Sequence, residues 1–210
     1  MKRRTLAWAV RVAAVLVAVL IAWPAVRTLR AAEAPMPLPA TTWSHSPAQV
    51  TARSVSAPRA LAPNTVSIPE LDVQLPFHDA GITGGWLDLD VSITTGVHLD
   101  NGSSLAKGSF LVAAHVNSKD LSLSPFAKLW KVEPGTMVYV SDAQGSVHAF
   151  KTTALQHYDK NSLPSDLWRT DGAPRVVLVT CGGELTVGDD GRRHYAENVV
   201  VEAVPASPTA

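Results

Sequence analysis

The chain holds one cysteine in a setting that invites chemistry. Cys181 ends the apolar run "VVLVTC" and is followed by two glycines. A thiol is nucleophilic as thiolate, a form favoured by a nearby histidine or cation. With a single cysteine, no second thiol of the chain can trap it as a disulfide. A lone cysteine also packs well as a small hydrophobe, so it needs a partner before it counts as a nucleophile. Of seven histidines, His115 stands out because it too closes an apolar run, "FLVAAHV". Two strand ends on one rim can face each other whatever their separation in sequence. His194 competes through its proximity to Cys181. His45 lies in a proline-rich stretch, His78 and His98 in expected loops, and His148 and His157 on or near an expected hairpin. Acyl transfer further needs a cation or donor set for the developing oxyanion. Arg192 and Arg193 follow the segment "GGELTVGDDG", which reads as a mobile surface loop. Either arginine can return beside the thiol, or the pair can simply balance Asp189 and Asp190.

Other chemistries lack their residues. One cysteine, no HExxH and no zinc-finger histidine spacing exclude the common metal motifs. No GxGxxG or phosphate-loop pattern occurs. The formal net charge is +0, which gives no global basic field for nucleic acid.

The elements that must carry these residues are mostly short strands. "TVSIPELDVQLPF" reads as strand, turn, strand, and "GSFLVAAHV" as a strand ending near His115. "SPFAKLWKV" has the spacing of a short helix, with Ser124 as cap and Pro125 at its first position. Residues 137–140 and 147 onward form an expected hairpin with its turn at 142–145. "NSLPSDLW" reads as a short helix or turn. "APRVVLVTC" is nearly all apolar, as when both faces of a strand are buried, and "YAENVVVEAVP" is a final strand. Such a pattern predicts a mainly β domain, a barrel or sandwich with small helical insertions.

Before this domain the texture differs. "MKRR" precedes a run at residues 5–26 with one charge, Arg11, long enough to span a bilayer. Its length exceeds the usual core of a signal peptide and favours an uncleaved anchor. The other reading is a cleaved signal with a small-residue site at Ala32, Glu33 and Ala34. Both place the domain outside the cytoplasm. Residues 27–63 are rich in Ala, Pro, Ser and Thr and read as an extended linker. The expected organisation is therefore 1–26 basic stub and membrane segment, 27–63 linker, 64–205 catalytic domain and 206–210 tail.

Three stretches, "FLVAAHVNS", "SPFAKLWKVEPGTMVYV" and "VVLVTCGGEL…RRHYAENVVVEA", resemble the sortases in order, spacing and context, most closely the actinobacterial class F group. The resemblance implies an eight-stranded sortase-type β-barrel with short helices, behind one N-terminal transmembrane helix and a linker. It implies a cysteine transpeptidase that cleaves an LPXTG-like C-terminal sorting signal between Thr and Gly. The product is transferred through a thioacyl-enzyme to an amine of a cell-wall precursor or a pilin. Cys181 matches the nucleophile, His115 the histidine, and Arg193, with Arg192 as its neighbour, the third catalytic residue. Thr180, Ala114 and Gly182 match positions around the substrate pocket. No cofactor or metal is implied, and the partners are surface proteins bearing sorting signals, the amine acceptor and the membrane. Ala114 stands where the family usually has glycine, and Asn117 where it usually has aspartate. The alternative is a catalytically weak sortase-fold module for assembly or binding at the cell surface. An L,D-transpeptidase would carry a "SHGC" type context, and a papain-like enzyme would place cysteine before histidine.

Overall fold

The computed structural model describes residues 41–89, 92–188, 191 and 193–206. The expectations for the basic stub, the membrane segment and the first part of the linker fall on residues 1–40, outside the described residues. Among the described residues no helix is long and apolar enough to cross a membrane.

Alternating and all-apolar runs become strands β1 (Trp43–Ser44), β2 (Thr65–Ile68), β3 (Val73–Ala80), β4 (Ile82–Thr83), β5 (Trp86–Leu87) and β6 (Gly96–Leu99). They continue with β7 (Ser109–Ala113), β8 (Met137–Ser141), β9 (Val147–Asp159), β10 (Arg175–Val187) and β11 (Arg193–Pro205). Eight of them pair in the order β9-β11-β10-β7-β6-β3-β2-β8, and β8 pairs back to β9. The sheet is a closed barrel, which leaves no open edge. β1 is added outside the ring on β9, and β4 with β5 forms a separate small ribbon.

The barrel interior is one hydrophobic cluster that includes Val66, Leu75, Val112, Phe150, Leu178 and Val201. A second cluster on the outer face includes Leu111, Ala113, Val177, Val179 and Val200, with Leu167 and Trp168 packed there. Along β7 and β10 the two sets alternate residue by residue, the period-2 signature of a strand. That is why "VVLV" at 176–179 has no polar position: both faces are buried. Each buried Val or Leu contributes about 1.5–3 kcal/mol, so this strand is firmly placed.

Short 3₁₀ helices appear where helical turns were expected. Pro125–Lys131 is capped by Ser124, whose side chain accepts from the Phe126 N–H, and Ser165–Trp168 is the second. The hairpin of β8 and β9 turns at Asp142, whose carboxylate accepts from the N–H groups of Gln144 and Ser146.

Three expectations are corrected. The part of the linker at 41–63 is laid along the barrel. Trp43 pairs with Leu155, Val50 and Leu61 are buried, and the Lys151 ammonium donates to the Val50 carbonyl. Proline and alanine gave that stretch no period, but they do not prevent an extended chain from packing. His78 and His98 lie in β3 and β6 rather than in loops. The expected mobile loop after Cys181 is a ribbon, since β10 runs on to Val187 and pairs with β11 through Val187 and Arg193. Backbone pairing across the ribbon outweighs the weak strand propensity of its glycines and acids.

Candidate active site

β7 and β10 are parallel neighbours, with Ala113 opposite Val179. Parallel strands run toward the same rim, so the residues that follow leave side by side about 4.8 Å apart. Two bonds continue the register past the end of β7. The Ala114 N–H donates to the Val179 carbonyl at 3.0 Å, and the Thr180 hydroxyl donates to the Ala114 carbonyl at 2.8 Å. One residue further on stand His115 and Cys181. His115 and Cys181, 66 positions apart in sequence, thus each follow residues that are bonded to one another.

The loop leaving β7 is pinned. The Ser124 hydroxyl donates to the His115 carbonyl, and the Ser124 N–H donates to the Val116 carbonyl at 3.0 Å. The same serine that caps the 3₁₀ helix thus fixes the backbone of the histidine. Asn117 reaches across to the hydroxyl of Tyr195 on β11. Burial pushes the Tyr195 phenol up, negative charge on Cys181 pushes it the same way, and the Asn117 hydrogen bond opposes both. Tyr195 and Asn117 thus belong to the surroundings of the thiol.

Cys181 is half-buried and pairs across the sheet with Asn198. The Lys160 ammonium stands 2.8 Å from its sulfur. Lys160 follows β9, and its backbone is held from both sides. Its N–H donates to the Ala196 carbonyl at 2.9 Å, and the Asn198 amide donates to its carbonyl at 2.9 Å. Asn198 therefore braces both the strand position of the thiol and the turn that delivers the lysine. Beside it, Glu197 accepts from or shares a proton with His157 Nδ1 at 2.8 Å. Gly183 adopts φ +75°, and a Cβ there would lie 2.8 Å from the Glu197 side chain. This glycine marks the bulge at which the β10–β11 register shifts, between Gly182 and Leu185. The glycines bend the ribbon; they do not end the strand.

The structure brings together Cys181, His115, Thr180 and Ala114. Thr180 and Ala114 are 3% and 2% exposed, so they set the strand spacing and present no open surface to a substrate. Gly182 is buried in the ribbon opposite Glu197. Arg193 is not brought to the thiol. It is exposed and lies opposite Val187, about 20 Å of strand beyond Cys181. Arg192 lies outside the described residues. His194, the competitor of His115, pairs opposite Thr186 in the same outer part of the ribbon. Sequence reading missed Lys160, because nothing in "HYDKN" marks a lysine that folds back onto a cysteine 21 residues later. Asn198 was visible within "YAENVVV", but its bracing role depends on the turn after β9.

A half-buried thiol thus stands on the rim of a closed barrel, on the strand paired with the one that His115 follows. The family model for the sortase domain matches residues 66–206, and the chain belongs to the sortase family. No curated protein matches it. Among solved structures, sortase C1 from Streptococcus suis is similar at 18% identity, TM-score 0.53, over 70% of this chain and 74% of that one. Sortase C-1 from Streptococcus pneumoniae is 21% identical, TM-score 0.52, over 70% and 67%. Sortase A from Listeria monocytogenes is 17% identical, TM-score 0.50, over 68% and 86%. At these identities the likeness is one of fold.

Proposed function

We propose that this sortase is an active cysteine transpeptidase acting on C-terminal sorting signals of the LPXTG kind. The observation that carries the reading is the clamp of Thr180 on Ala114, which delivers Cys181 and His115 to the same end of two paired strands. The Cys181 thiolate attacks the Thr–Gly carbonyl, forming a C–S bond and an oxyanion. Collapse breaks the C–N bond, and the His115 imidazolium gives its proton to the leaving amine. The thioacyl-enzyme is then attacked by an acceptor amine, from a cell-wall precursor or a pilin. A C–N bond forms, the C–S bond breaks, and the proton lost by the amine returns to His115. "YAENVVV" and "FLVAAHVNS" support a class F assignment within the family. The apolar run at 5–26 supports a membrane anchor, with the barrel on the outer side.

The test uses full-length chain in detergent with LPXTG and LAXTG peptides and an excess of amine. The expected product is the peptide cut after Thr and joined to the amine. Absence of any cleavage with both peptides favours the non-catalytic surface module.

A further inference from the structure

We propose that Lys160 is a further catalytic residue, the cation that holds Cys181 as its thiolate. The inference rests on the transpeptidase reading for its use in turnover, but the ion pair stands on geometry alone. The ammonium nitrogen is 2.8 Å from the sulfur, a direct contact with a reacting atom. Among the described residues it forms no ion pair with a carboxylate; Glu197, a near neighbour in the sheet, is engaged by His157. A surface lysine normally rests in water on a flexible stem. Here both backbone groups of Lys160 are bonded, by Ala196 and Asn198, and Asn198 is the cross-strand partner of Cys181. The contact is thus built from the same strand pairing that positions the nucleophile.

The chemistry fits the position. An ammonium beside a thiol favours the thiolate, and this one does so without consuming the proton that His115 must deliver. When the sulfur attacks, its negative charge passes to the carbonyl oxygen, two bonds from the sulfur. The ammonium then has its anion moved, not removed, and can follow it to the oxyanion. Arg193, expected in this role, lies about 20 Å along the ribbon. Titratable groups on the elements around the pair include Glu184 on β10, Tyr195 and Glu197 on β11, His157, Tyr158 and Asp159 on β9, and His115 after β7. None of these is a cation on the sulfur in the described contacts.

The experiment measures alkylation of Cys181 by iodoacetamide in the full-length chain at pH 7 and pH 10, together with peptide transfer. Lys160→Met should slow alkylation at pH 7 by about tenfold. At pH 10, where an ordinary thiol is ionised anyway, the rates should agree within about twofold. Transfer should fall by about 10²-fold, as for loss of an oxyanion donor. Lys160→Arg keeps the charge and should recover most of the pH 7 rate. Alkylation of Lys160→Met at the wild-type rate at pH 7 would overturn the proposal. So would equal losses in the Met and Arg variants, which would make the residue a packing element. If the wild type transfers no peptide while alkylation still depends on Lys160, the ion pair stands and the transpeptidase reading fails.

Discussion

The two ends of the barrel carry nearly the same histidine device and differ in everything around it. At the thiol end, His157 Nδ1 lies 2.8 Å from the Glu197 carboxylate; at the far end, His98 Nδ1 lies 2.8 Å from Asp79. Both side chains are 8% exposed, and both Nε2 atoms are buried without a partner. The far end also has a hollow, a cavity of about 360 Å³ lined by residues that include His98, Phe110, Asp142 and His148. Phe110 pairs with Val176 at the start of β10, whereas Cys181 comes five residues later, so the ends are about 16 Å apart along the strand. What separates them is a thiol with a cation beside it and a histidine loop pinned by Ser124. A buried histidine beside a carboxylate, with a cavity next to it, does not by itself make a reactive centre. At the far end the His98 ring is stacked on Phe110 at 3.8 Å, and the pair serves packing.

The comparison breaks most readily at the histidines. His115→Ala should lower transfer by about 10²–10⁴-fold, the usual worth of a general acid. His98→Gln should leave transfer per folded molecule within about twofold. An equal loss in both would mean the two ends are coupled. Next in size, Phe110→Ala at the far end should cost about 3–5 kcal/mol of stability by removing a buried ring. Its kcat, measured well below the melting point, should be nearly that of the wild type. At the thiol end, Thr180→Val removes one buried hydroxyl bond and should cost about 1 kcal/mol in a denaturant titration. It should lower kcat more than KM changes, because the strand spacing of Cys181 and His115 loosens.

The smallest effects are opposite pH sensitivities. At the far end, the His148 hydrogen bond holds the Asp142 carboxyl below its ordinary value. A depressed carboxylate contributes stability above the ordinary value of about 3.9 and loses it as pH falls through the folded-state value. At the thiol end, burial raises the Tyr195 phenol. That contribution is present below about 10 and lost as pH rises through the folded-state value. Asp142→Asn should flatten the acid limb of melting temperature against pH, and Tyr195→Phe the alkaline limb. Exchanged effects would contradict this assignment.

Much of this architecture was legible in the residues. "VVLV" at 176–179 has no polar face because β10 is covered on both sides, and "SPFAKLWK" announces its own cap. His115 and Cys181 were readable as strand ends, since each closes an apolar run. Their adjacency was not, because parallel pairing is a non-local choice. The packed stretch at 41–63 escaped because its contacts are irregular and carry no period. Arg193 was misplaced because chain proximity to the last strand says nothing of register; a ribbon that extends to Val187 carries it away. Lys160 gave no local signal at all, since its position follows from a turn and an asparagine brace.

In the proposed reaction everything turns on Cys181 as the nucleophile of acyl transfer. Its most direct test is the intact mass of the full-length chain quenched in acid after brief mixing with a sorting-signal peptide and no added amine. A thioacyl adduct of the peptide up to its Thr, mapped to Cys181 and absent in Cys181→Ala, is the expected result. Peptide cleavage that persists in Cys181→Ala, or cleavage with no adduct at any mixing time, would contradict it.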